Sequence, residues 1–170
     1  MVRVEHVLET WKAIRADAAA AVEEFPAGEF DFRPAPDVMT FGEIARHILI
    51  AGDGLAGLLL AGEDNFTAPD FREKLRERAV RIAADATPAD LAAALRESVE
   101  RRAAELAAQP AEFFDHLMTR VDGMRVTRLE MLQFVKEHEL THRAQLFLCL
   151  RMKGIVPATT RRRLAKQGAR

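Results

Sequence analysis

His138-Glu139-Leu140-Thr141-His142 places two imidazoles four residues apart. On a helix that spacing brings both rings onto one face, about one turn from each other. Two neutral imidazoles so placed can share one metal ion, and H-E-x-x-H is a known zinc-hydrolase pattern. A metalloprotease of that kind draws a third ligand from downstream. Here no His, Asp or Glu follows His142. The third ligand must come from upstream, which requires a different fold.

Working outward, Thr127-Arg128-Leu129-Glu130 is a capping box, and Gly154 and Pro157 supply a stop. These signals predict a helix over 128–153, about 40 Å long. Its inner stripe reads Met131, Val135, His138, His142, Gln145, Cys149 and Met152, so the histidines interrupt a mostly apolar face. Upstream, Val4, Val7, Trp11, Ile14, Ala18, Ala21 and Phe25 alternate steps of three and four, predicting a helix over 2–25 ended by Pro26 and Gly28. Thr40-Phe41-Gly42-Glu43 caps a second helix, with Ile44, Ile48, Ala51, Leu55 and Leu58 along one face and Gly62 at its end. Gly52, Gly54 and Gly57 inside it each cost about 1 kcal/mol against alanine, so close helix approach or room for a ligand is expected there. A short helix fits 71–82. Thr87-Pro88-Ala89-Asp90 starts a third long helix that reaches about Ala108. Asp122-Gly123 signals a tight turn in a small hairpin or irregular loop. The fold class is all-α, a four-helix bundle over residues 1–157 followed by a basic tail over 158–170.

The 170 residues suffice for one core, and 49% hydrophobic with 30% charged residues is ordinary for a globular protein. No membrane-spanning run and no signal-peptide pattern are found, and Cys149 is the only cysteine, so a cytoplasmic location is expected. The net charge is −1, yet eight Lys or Arg and no acid lie between Leu140 and Arg170. The tail, with Arg161, Arg162, Arg163, Lys166 and Arg170, reads as a frayed, solvated terminus, since no aromatics are interleaved to favour nucleic acid. Ser98 is the only serine and lies in a predicted helix, which argues against a Ser–His–Asp hydrolase.

Three upstream histidines are candidates for the third ligand. His47 lies on or beside the buried face of the second helix at mid-bundle height and is favoured. His6 is one step off the first helix seam, and His116 lies in the last connection. Glu139 is rotated about 100° from His138 and is read as a solvated or interface carboxylate rather than a general base. Cys149 is two turns beyond His142 and is expected to pack as a small hydrophobe.

Two stretches resemble the DinB-like superfamily of damage-inducible proteins and metal-dependent thiol S-transferases. Thr40-Phe41-Gly42-Glu43-Ile44-Ala45-Arg46-His47-Ile48 is similar to that family's pattern around its first histidine. His138-Glu139-Leu140-Thr141-His142-Arg143-Ala144-Gln145-Leu146, with Gly154 and Pro157 downstream, is similar to its H-x-x-x-H-R-G-Q-L pattern. Ala144 departs from the Gly often found there. The resemblance implies a four-helix bundle, often dimeric, with His47, His138 and His142 holding a divalent metal. Members of that family include enzymes that use low-molecular-weight thiols such as bacillithiol or mycothiol, among them a maleylpyruvate isomerase, and the resemblance leaves the substrate open.

The expected function is therefore metal-assisted thiol transfer, with zinc or nickel as the metal, a small-molecule substrate and no membrane or nucleic-acid partner. Two alternatives stand beside it: a stress-response metal-binding protein without turnover, and a metal-dependent hydrolase. A homodimer is expected, mainly from the resemblance and with support from Leu129, Leu132, Leu140, Phe147 and Leu148, which extend the last helix's apolar stripe beyond one seam.

Overall fold

The computed structural model describes residues 2–168. Its long helices are α1 (Val4–Glu24), α2 (Phe41–Leu60), α4 (Pro88–Ala107) and α6 (Arg128–Met152). Short elements join them: α3 (Phe71–Arg78), α5 (Ala111–Asp115), and an antiparallel pair of β1 (Leu117–Thr119) and β2 (Arg125–Thr127), followed after α6 by α7 (Ala158–Gly168). The fold is all-α, as the sequence predicts. Capping boxes form at Thr40, Thr87 and Thr127, each hydroxyl accepting from the backbone N–H three residues on. Gly62 ends α2 and Gly123 turns the hairpin, both at positive φ.

α1 packs on α4 and α6, and α2 packs on the same two helices. Helices α1 and α2 therefore face each other across the bundle diagonal, which is why a long connection with its own aromatic cluster separates them. Phe25 and Phe41 stack there at 3.7 Å between ring centroids, with Phe30 edge-on to both.

The apolar core is in two halves. One gathers Trp11, Leu55, Leu59, Val99, Met131 and Val135. The other gathers Ala18, Ile44, Ile48, Leu95, Leu146 and Cys149. Between them lies a polar layer of Arg15, Ser98 and Glu139, all buried. Arg15 donates from Nε to Glu139 Oε2 at 2.8 Å, from Nη2 to Glu139 Oε1, and from Nη1 to Ser98 Oγ at 2.9 Å. Glu139, expected at a solvated or interface position, is thus 0% exposed and ion-paired.

The α2 glycines serve packing between protein groups rather than a ligand. A Cβ at Gly52 would strike Glu139 Oε1 and Arg15 Nη2, one at Gly54 would lie 2.7 Å from the Leu75 carbonyl oxygen on α3, and one at Gly57 would lie 2.8 Å from Arg102 Nη2. Nearby, buried Asp53 accepts from the Val80 N–H at 2.6 Å, Arg101 Nη2 at 2.7 Å and Arg102 Nε at 2.9 Å, pinning the α3–α4 connection to α2.

The tail also departs from expectation. Residues 158–168 form α7, with Arg161 paired to Glu24 and Arg162 to Asp17, which Arg143 also contacts at 2.9 Å. Two cations of the basic run thus meet acidic groups of α1: the largely exposed Arg161–Glu24 pair, worth about 1 kcal/mol or less, and Arg162 at the buried Asp17. Arg170 lies outside the described residues. On α6, Met152 points outward at 53% exposed, and Leu132 is fully buried instead of extending an outer stripe.

Gly52→Ala should destabilise the protein by about 1–3 kcal/mol through overpacking against the ion pair. Gly28→Ala, where an added Cβ meets nothing within 4 Å, should stay within about 0.5 kcal/mol. Urea denaturation of both variants checks this, and equal midpoints would contradict the packing account.

Candidate metal centre

His138 and His142 stand one turn apart on α6, and His47 approaches from α2. The three offer ligand nitrogens that all lie within 4.8 Å of one another. The Nε2 atom of His138 is 3.0 Å from Nε2 of His47 and 3.1 Å from Nε2 of His142. Three nitrogens each about 2.0–2.1 Å from one ion would be separated by about 2.8–3.4 Å for N–metal–N angles between octahedral and tetrahedral, so the cluster fits a tridentate set. Among the described residues, no Cys, Asp or Glu joins it.

The surroundings suit neutral, coordinating rings. Gln145 Oε1 lies 2.7 Å from His142 Nδ1. An amide oxygen only accepts, so Nδ1 carries the proton and the Nε2 lone pair points into the cluster. Phe134, one turn before His138, lies nearly parallel to its ring at 6.4 Å between centroids, and the Arg120 guanidinium sits 4.8 Å over Phe134 from the hairpin. Burial first, and then repulsion from His142 and His47, lowers the His138 pKa to about 4. Burial and His142 lower that of His47 as well. Both rings are thereby kept unprotonated near neutral pH, as metal ligands must be. His138 Nδ1 is buried without a hydrogen-bond partner among the described residues.

The other candidates fall elsewhere. His6 is exposed near the start of α1. His116 is exposed beside Asp64 and Asp115 at the mouth of a different cavity. Cys149 is fully buried in the core, where desolvation raises its thiol pKa. Glu139 is turned away from the cluster into its pair with Arg15, so it is not placed as a base toward a metal-bound water. Arg15 is the residue that sequence reasoning missed. The signal was present: Arg15 falls in the arc of Trp11, Ala18 and Val22 on α1, as Glu139 falls in the arc of Leu132, Val135 and Leu146 on α6.

The model of the DinB superfamily matches residues 10–146, and the chain belongs to that superfamily. A relative, YjoA of Bacillus subtilis strain 168, is 27% identical over 134 residues, covering 78% of this chain and 79% of YjoA. The crystal structure of YjoA, a DinB-like protein, superposes with a TM-score of 0.68 at 23% identity, covering 88% of this chain and 92% of that one. A mutant of the mycothiol-dependent maleylpyruvate isomerase superposes with a TM-score of 0.65 at 15% identity, over 85% of this chain and 61% of that one. At these identities the two structures bear on the fold alone.

A lowered histidine pKa has a consequence for the metal-free protein. The unfolded chain takes up a proton on His138 near pH 6.5, while the folded site resists it down to about 4. Stability is therefore fully present above about pH 6.5 and is lost as pH falls below that value. The drop in thermal midpoint from about pH 7.5 to about pH 5 should be smaller in His138→Gln than in the parent protein. Identical drops would contradict the assignment.

Proposed function

We propose that this member of the DinB superfamily holds one divalent metal, zinc or nickel, on His47, His138 and His142, and uses it for thiol transfer. The observation that carries the reading is the convergence of three ring nitrogens at ligand spacing. A divalent ion on three neutral imidazoles keeps its charge and open positions, and would lower the pKa of a bound thiol toward neutrality. Around it the chain's own groups have definite tasks. Gln145 holds the His142 tautomer, and Phe134 offers an aromatic wall beside His138. The co-substrate is a low-molecular-weight thiol, a reading supported by the mycothiol dependence of the isomerase neighbour. The transfer breaks the S–H bond of the thiol and uses the sulfur electron pair to form an S–C bond at an electrophilic carbon of a small-molecule substrate, while the bond from that carbon to its leaving group breaks and the departing group takes up the proton given up by the thiol.

The hydrolase alternative is disfavoured by Glu139, whose carboxylate is held by Arg15 on the far side of α6 from solvent. A storage or structural metal site would normally be closed by a fourth protein ligand, and the cluster has three. We also propose a homodimer, for which the outward Leu140 and Leu148 of α6 offer apolar surface. No helix among the described residues is long and apolar enough to cross a membrane.

Elemental analysis after zinc or nickel loading should find one metal per chain. Alanine at any of the three histidines should lower that content at least tenfold while the helical circular dichroism persists. The loaded protein should then accelerate consumption of mycothiol or bacillithiol by an electrophilic acceptor, and the His47→Ala variant should not. Full metal content in all three variants would refute the ligand assignment. Metal uptake without any thiol consumption across such a panel would refute the transferase reading.

A further inference from the structure

We propose that Arg15 and Glu139 are positioning residues of the metal centre, setting the register of α2 against α6 that brings His47 to His138. This rests on the reading of the three histidines as a metal site. Each group that Arg15 holds on these two helices is the chain neighbour of a ligand. Glu139 follows His138, and the Ile48 carbonyl, which accepts from Arg15 Nη2 at 3.4 Å, belongs to the residue after His47. The same guanidinium reaches α4 through Ser98 Oγ at 2.9 Å and the Leu95 carbonyl at 3.4 Å. One side chain of α1 therefore touches all three other long helices.

The placement of the pair argues for a task beyond cohesion. It lies between the two apolar halves of the core. Apolar contacts on either side are non-directional and tolerate sliding. A slip of one residue along α6 turns its face by about 100° and advances it by about 1.5 Å, enough to take His138 away from His47. A forked, two-bond Arg–carboxylate contact is directional and resists that slip. Both side chains are 0% exposed. A pair so buried is often neutral or worse for stability than apolar residues of the same volume. Gly52 gives up its side chain to make room for it, since an added Cβ would also lie 3.0 Å from Glu139 Cδ.

The test separates positioning from stability. The double variant Arg15→Met/Glu139→Leu removes both charges and keeps the volume, and Glu139→Gln keeps the shape and removes one charge. Zinc affinity is measured by competition with a chromophoric chelator, ligand geometry by the visible spectrum of the cobalt-loaded protein, and stability of the metal-free protein by urea denaturation. The double variant should keep or exceed the parent's denaturation midpoint, yet bind zinc on the order of 10–100-fold more weakly with an altered cobalt spectrum. Glu139→Gln should weaken zinc in the same direction and carries the test if the double variant does not fold. Leu106→Ala, near the C-terminal end of α4 and outside the polar layer, should lower stability without changing zinc affinity. Parent-like zinc affinity and cobalt spectrum in a folded double variant, or in Glu139→Gln, would overturn the proposal and leave the pair a structural feature. Failure of the parent protein to take up zinc would overturn the metal reading beneath it, an outcome visible before any variant is compared.

Discussion

A guanidinium and a carboxylate, both out of water, meet at the centre of this bundle, and the rest of the molecule is arranged around them. Burying either one alone would be strongly unfavourable, so the helices that carry them can assemble in only one relative arrangement. Arg15 commits α1, Glu139 commits α6, Ser98 commits α4, and the glycine at position 52 lets α2 approach closely enough to join them. The apolar halves above and below supply most of the driving force for folding. The polar layer supplies direction.

That layer also changes the meaning of the five residues His138–His142. In a zinc hydrolase of the H-E-x-x-H type, the glutamate serves the water on the metal. Here Arg15 of α1 captures Glu139 in the core, against Gly52 of α2, while His47 of α2 meets the imidazoles about 100° farther around α6. The same string is thus divided between two jobs on two faces, the imidazoles facing α2 and the carboxylate facing the core. The histidines sit at the edge of the buried arc rather than within it, half-buried and near the hairpin. Such a location combines burial that keeps His47 and His138 neutral with access from outside, which a catalytic metal requires and a purely structural one does not.

Much of this was legible in the chain. The capping boxes at Thr40 and Thr127 marked helix starts to the residue, because side chain and backbone satisfy each other locally. The i, i+4 histidines and the mid-helix His47 were readable from periodicity, and their meeting follows from bundle packing. What escaped was the set of features decided by other segments. Glu139 looked solvent-bound because its partner lies 124 residues away on α1. The glycines of α2 signalled either close helix approach or room for a ligand, and the choice between them rests on α3 and the Arg102 side chain, which are remote in sequence. The basic tail looked frayed because its helix is held by acidic groups of α1, and local composition does not reveal them.

X-ray absorption at the zinc or nickel edge of the metal-loaded protein tests the central claim most directly, because it reads the ligand atoms themselves. The account predicts three imidazole nitrogens at about 2.0–2.1 Å, with any remaining scatterers light and exchangeable. A sulfur scatterer at about 2.3 Å in the absence of added thiol, or a first shell without imidazole scattering, would contradict it.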